Sequence, residues 1–133
     1  MNKLFLRIVC PDGELFSGDA RSILVTTTSG EVQILANHAD FLAPLATGRA
    51  KLTLEDGSER AASVSGGFIL VTGEETKIVA TTFEFSEDID LERAKRAKEN
   101  AEEKLKNAKD DKEIAIAKAK LARAVSRISV ASK

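Results

Sequence analysis

Ser86 divides this chain into two hydrophobic patterns that no single element can satisfy. Up to about Phe85, apolar residues alternate with polar ones, the period of a half-buried strand. Beyond it they recur every third or fourth residue, the period of a helix. The chain should therefore fold as a strand-built body followed by a helical tail, which we expect at residues 1–86 and 87–133.

In the body, Leu4, Leu6 and Ile8 share one face of a first strand, with Phe5, Arg7 and Val9 on the other. The same short alternation returns at residues 23–26, 51–54, 68–71 and 77–80. Turn chemistry separates these runs at Pro11-Asp12-Gly13, Ser29-Gly30, Asp56-Gly57, Gly66-Gly67 and Gly73-Glu74-Glu75. Asp-Gly between strand-like runs is a strong hairpin signal, because a type I′ turn needs positive φ at both central residues. Many short strands at this spacing predict an antiparallel β-sandwich of about eight to ten strands.

The tail contains no Gly or Pro from Ser86 to Lys133, and Ala, Lys and Glu dominate it. Ser86, Asp88 or Asp90 can cap a helix by accepting from its free backbone N–H groups. Ala94, Ala97, Ala101, Leu105 and Ala108 then recur at helical spacing. A polar break over residues 107–111 follows, with Asp110 and Glu113 at capping-box spacing. Ile114, Ala117, Leu121, Ala124, Ile128 and Ala131 continue a coiled-coil-like seam. The expected tail is an antiparallel two-helix hairpin. Its seam is mostly alanine, and at about 25 cal/mol per Å² an Ala contact contributes well under half of a Leu contact. The helices should be strong and their mutual grip weak.

Charge follows the same division. Residues 1–87 carry 7 Lys and Arg against 12 Asp and Glu, whereas residues 88–133 carry 13 against 9. After Glu113 only cations remain: Lys118, Lys120, Arg123, Arg127 and Lys133. A solvated helix face usually mixes signs, so this run points to an acidic partner or an anion. Arg123 and Arg127, four residues apart, share a face and can converge on a phosphate or carboxylate. Nucleic acid fits poorly, because the chain has no Trp or Tyr to stack bases and a net charge of -1. No catalytic constellation is visible. His38 is the single histidine, and no metal-ligand spacing or phosphate loop occurs, so no catalytic residue, metal or required cofactor is expected. His38 itself reads as a loop residue bonded locally or as a partner contact. The single cysteine, Cys10, admits no internal disulfide and is expected as a core or strand-end thiol in a reducing compartment. The first residues run straight into the strand pattern, so no secretory signal is expected, and no apolar run is long enough to span a bilayer.

Five segments, in order along the whole chain, resemble the epsilon subunit family of bacterial F-type ATP synthases. They are Ile8-Val9 leading into Pro11-Asp12-Gly13; residues 29–35 followed by His38; Ser65-Gly66-Gly67-Phe68; residues 87–94, reading EDIDLERA; and residues 123–130, reading RAVSRISV. The resemblance implies a non-catalytic subunit of the central stalk, peripheral to the cytoplasmic face of the bacterial plasma membrane. Its sandwich would bind the gamma subunit and the c-subunit rotor ring, with Glu31 and His38 as contacts. Its hairpin would fold on the sandwich or extend along gamma toward the alpha and beta subunits of the catalytic head. There it would inhibit ATP hydrolysis through Lys118, Lys120, Arg123 and Arg127 against an acidic segment of beta. Some members of the family bind ATP as a regulatory ligand on the folded hairpin. Position by position, that site would comprise Glu84, Ile89, Asp90, Arg93, Ala94, Arg123 and Arg127. The further basic residue that ATP-binding relatives carry six or seven positions after the motif arginine is absent here, where the sequence reads Glu99-Asn100. The same arginines could instead only cap, pair or contact beta. A free-standing ATP-sensing module and a helical-hairpin adaptor remain as alternative readings.

Overall fold

A computed structural model describes residues 3–131. Met1, Asn2 and the last cation of the basic run, Lys133, lie outside the described residues. Eight strands precede two helices: β1 (Leu4–Cys10), β2 (Gly13–Ala20), β3 (Ser22–Thr27), β4 (Gly30–Leu35), β5 (Phe41–Pro44), β6 (Gly48–Thr53), β7 (Glu59–Val71) and β8 (Thr76–Phe85). A 3₁₀ turn at Ser86–Asp88 leads to α1 (Leu91–Lys106) and α2 (Asp111–Ala131). The strands form the expected sandwich, hydrogen-bonded in the order β2-β1-β8-β7-β6-β3-β4, with β5 on β7. One pair departs from the antiparallel expectation: β1 runs parallel to β8, with Ile8 opposite Ile78.

Alternation does what the sequence predicts. Leu4, Leu6 and Ile8 are buried, together with Ile23, Val25, Ile34, Leu52, Ile69 and Ile78. Each such large side chain contributes about 1.5–3 kcal/mol when fully buried. Cys10 is half-buried at the end of β1, and burial pushes its thiol pKa up.

Gly66-Gly67 departs from expectation. The pair is not a turn but lies inside the 13-residue β7. Both glycines have positive φ, 72° and 96°. A Cβ on Gly67 would stand 1.9 Å from the Val79 carbonyl oxygen, so β8 passes too close for any other residue. Here β7 also changes neighbour. Residues before the pair bond β6, and residues after it bond β5. One strand thereby serves two parts of the sandwich, and the glycines make the bend.

The helices start where capping chemistry allows. Asp90 caps α1, its carboxylate accepting from the Arg93 N–H at 3.1 Å. Asp110 accepts from the Glu113 N–H, and Glu113 in return accepts from the Lys109 N–H, both at 2.8 Å. The return bond falls one residue before the usual capping-box position. Ala94, Ala101, Ala117 and Ala124 are buried along the predicted seam. The junction is anchored by Arg60, whose guanidinium stacks 3.7 Å over the Phe85 ring and pairs with Glu87 at 2.6 Å. Glu87's own backbone N–H, and then Arg60, hold its carboxyl below the ordinary range.

The contiguous hydrophobic cluster consists of sandwich residues alone, from Leu4 to Phe85. The body has a core that does not use the tail. A chain ending after Ser86 should therefore keep a β-type circular dichroism spectrum and a cooperative melting transition. An unfolded truncation would contradict an independent core.

Candidate functional site

The hairpin lies on the sandwich through α2, which touches β7, β6 and the 3₁₀ turn. Strand period two explains how. Ala62 and Val64 of β7 point inward, as do Phe83 and Phe85 of β8. Ser63 and Glu84 are directly opposite each other in the β7–β8 ladder and point outward. Ser63 is nevertheless buried, at 5% exposed, because α2 covers it. Its hydroxyl meets the Ser126 hydroxyl at 2.7 Å, and Glu84 accepts from Arg127 Nε at 2.5 Å. Two consecutive helix residues thus engage two paired strand residues.

Around this contact, a cavity of about 310 Å³ is lined by Glu84, Asp88, Ile89, Asp90, Arg93, Ala94, Ala97 and Arg127. Six of the seven residues expected at a ligand site converge here. The seventh, Arg123, lines a neighbouring cavity of about 230 Å³, together with Ala97, Asn100, Ala101, Lys104, Lys120 and Arg127. The two cavities share Ala97 and Arg127. The Glu84 pair uses the single Nε–H of Arg127, and a guanidinium carries five N–H donors. Glu84 therefore orients Arg127 while both Nη groups can serve another acceptor. Asp90 spends one carboxylate oxygen on its cap, leaving Oδ2 for a ligand donor.

Of the cations expected to contact a partner, Lys120, Arg123 and Arg127 line this groove. Lys118 does not share their face. Two residues before Lys120, it lies about 200° around the helix and is exposed. Asp88, Lys104 and Asn100 were not among the expected ligands. Asp88 had been read only as a cap, and the 4-3-4 spacing of Arg93, Ala97, Asn100 and Lys104 is the signal that places the last two on the same α1 face.

The two expected rotor contacts lie elsewhere on the sandwich. Glu31, on β4, is held by Arg49 through Nε at 2.6 Å and Nη2 at 3.2 Å. His38 follows Asn37, whose φ is 64°, a left-handed conformation that Asn tolerates. Its Nδ1 lies 2.7 Å from the Ala39 carbonyl, and its ring packs edge-on against Phe41. His38 also lines a cavity of about 280 Å³ with Phe5, Leu35 and residues of the β7–β8 turn. Among the described residues, no group of three or more His, Cys, Asp or Glu could hold a metal ion.

Comparison with known proteins adds the following. The family model described as "ATP synthase, Delta/Epsilon chain, beta-sandwich domain" matches residues 3–86, and "ATP synthase, Delta/Epsilon chain, long alpha-helix domain" matches residues 87–132. The chain is 39% identical to the ATP synthase epsilon chain of Caldanaerobacter subterraneus, covering 100% of this chain and 97% of the relative. It is 40% identical to that of Bacillus velezensis, covering 98% of each. Its fold resembles a chain in the cryo-EM structure of the Euglena gracilis mitochondrial ATP synthase (OSCP, F1 and c-ring). The TM-score is 0.86 at 24% identity, covering 100% of this chain and 83% of that one.

Replacing Glu84 by Gln should loosen α2 without unfolding the body. Both partners are about one-third exposed, so the pair is worth about 1 kcal/mol. Hydrogen exchange across residues 111–131 should accelerate severalfold, with sandwich amides unchanged. Equal exchange in parent and variant would mean that the pair does not hold the helix.

Proposed function

The chain belongs to the ATP synthase delta/epsilon family, as an epsilon chain, and on that premise we propose that its hairpin is a nucleotide-responsive inhibitor of ATP hydrolysis. An epsilon chain is a non-catalytic stalk subunit of the ATP synthase complex. In this reading the sandwich, residues 1–86, joins the gamma subunit to the c-subunit rotor ring of a proton-translocating enzyme. The hairpin, residues 87–133, regulates it. The subunit sits at the cytoplasmic face of the plasma membrane, held there by the complex. No described helix is long and apolar enough to cross a membrane.

The observation that carries the nucleotide part is the shared cavity. Glu84, Ile89, Asp90, Arg93, Ala94 and Arg127 come from a strand, a turn and both helices, yet line one space. Carboxylates can accept from an exocyclic amine or a ribose hydroxyl, and guanidinium groups can hold phosphate oxygens bidentately. A ligand bridging both helices and β8 favours the state in which all three are adjacent.

Inhibition uses the same helix differently. Lys120, Arg123 and Arg127 line the closed groove, so opening the hairpin releases them toward an acidic segment of the beta subunit, with Lys118 joining from the other face. Binding ATP in the groove and binding beta are then mutually exclusive, and ATP relieves inhibition. On the body, Phe5, Leu35, Leu42 and Phe68 are exposed large apolar residues, the first two lining the cavity of His38, which suits docking to gamma and the ring.

Two measurements test this. Changing Lys118, Lys120, Arg123 and Arg127 to Ala should raise ATP hydrolysis by the assembled complex severalfold while synthesis changes little. Hydrolysis as inhibited as in the parent would refute the electrostatic account. Calorimetric titration of the isolated chain should show ATP binding together with a rise in Tm. No heat and no shift at millimolar ATP would remove the nucleotide role while leaving family membership intact.

A further inference from the structure

We infer that Lys104 and Lys120 form the polyphosphate end of the nucleotide site, supplying from one turn away the positive charge missing at Asn100; this rests on the nucleotide reading of the groove. The groove has a chemical direction. Its first cavity contains three carboxylates, Glu84, Asp88 and Asp90, with Arg93 and Arg127. The next contains no carboxylate at all, and four cations: Lys104, Lys120, Arg123 and Arg127. A third cavity of about 560 Å³ at the turn end of the hairpin is lined by the same two lysines together with Glu103 and Glu113, so acids return there. The carboxylate-free cavity thus lies between two that hold acids, with Lys104 and Lys120 at its boundary with the second. An anion settles there, and a donor-rich base or ribose settles beside Glu84 and Asp90.

Helix geometry makes the stretch a continuous track. Ala97, Asn100 and Lys104 follow one another on one face of α1, and Lys120, Arg123 and Arg127 on the facing side of α2. From Ala97 to Lys104 is about 10 Å along the helix axis, enough for a chain of phosphoryl groups. The four alkyl carbons of each lysine let its ammonium group reach over Asn100 and the alanines. Long α1 side chains lean toward the helix N-terminus, which carries the Lys104 ammonium group toward the Arg93 cavity. Among the described residues, none of Arg93, Lys104, Lys120 and Arg123 forms an ion pair, whereas Arg127 is held by Glu84. The unpaired cations share one groove and gain most from a multiply charged ligand. An amide at position 100 can still donate to a phosphate oxygen but adds no charge.

The test is calorimetric titration of the full chain with ATP, AMP and inorganic tripolyphosphate. The parent is compared with a double variant, Lys104→Gln with Lys120→Gln, which keeps length and helix propensity. Loss of two partly solvated charge contacts should weaken ATP and tripolyphosphate about tenfold. AMP, which ends near Arg93 and Arg127, should bind almost as in the parent. Unchanged ATP affinity in the double variant, or equal weakening of AMP and ATP, overturns the assignment. If the parent binds tripolyphosphate through these lysines but not ATP, the nucleotide reading fails and the anion track stands. If it binds neither, both fail. Unchanged helical circular dichroism excludes a folding defect as the cause.

Discussion

The tail is held to the body by a polar register: Ser63 and Glu84, paired across β7 and β8, meet Ser126 and Arg127, consecutive on α2. This four-residue contact supplies the side-chain hydrogen bonds between α2 and the sandwich. It decides which face of α2 lies down, and therefore which face lines the groove with α1. A hydroxyl pair contributes about 0.5–1.5 kcal/mol net, and a part-exposed ion pair about 1. The sandwich core, in contrast, holds eight large side chains that are essentially inaccessible, each worth more than the whole ion pair. A docking contact of a few kcal/mol on a body stabilised by far more is an element that can detach while the body stays folded. Its polar character adds to this. Released Ser63 and Glu84 find water, so the hydrophobic penalty of opening is confined to Val130 and the small seam alanines.

The same register explains what was legible in the sequence. Strand alternation at Leu4-Leu6-Ile8 and the alanine seam of both helices each reflect one buried apolar face, and both were readable because burial writes a period. α2, however, has two buried sides. The one against α1 is apolar and periodic. The one against the sheet comprises Ser126, Arg127 and the buried Val130, and a side recognised by a serine and an arginine leaves no hydrophobic period to detect. Gly66-Gly67 was misread for a related reason. Two glycines in positive φ are the usual sign of a turn, but the close passage of β8 at Gly67 makes the same demand inside a strand. The parallel β1–β8 pairing is likewise a property of topology, invisible in local pattern. Arg123 and Arg127 were legible from their spacing, and the other ligand candidates only through a resemblance. What the structure adds is that six of the seven converge, and that the cations of the adjoining cavity include Lys104, which lies outside the five segments that carry the resemblance.

Arg127 ties the parts together and limits what the switch can do. In the docked state its Nε–H is committed to Glu84, while the residue lines both cavities of the groove. On the proposed reading the same side chain would touch phosphate when the hairpin is closed and the beta subunit when it is open. A residue used in both states contributes to their balance only through the difference between its two environments. The closed state gives Arg127 a carboxylate at fixed geometry together with a ligand; the open state offers it an acidic surface in solvent. The ligand term is bounded. At a hundredfold above its dissociation constant, ATP favours the closed state by about 2.7 kcal/mol. That is close to the size of the polar register itself, so occupancy can roughly double the grip on α2. It cannot close a hairpin biased toward opening by much more than this, because reversing a 1:99 preference to 99:1 takes about 5.5 kcal/mol. The weak alanine seam, the polar docking contact and a ligand term of the same magnitude therefore form one matched set. Strengthening any member, for instance by apolar residues at Ser63 and Ser126, would lock the hairpin down and remove its response to ATP.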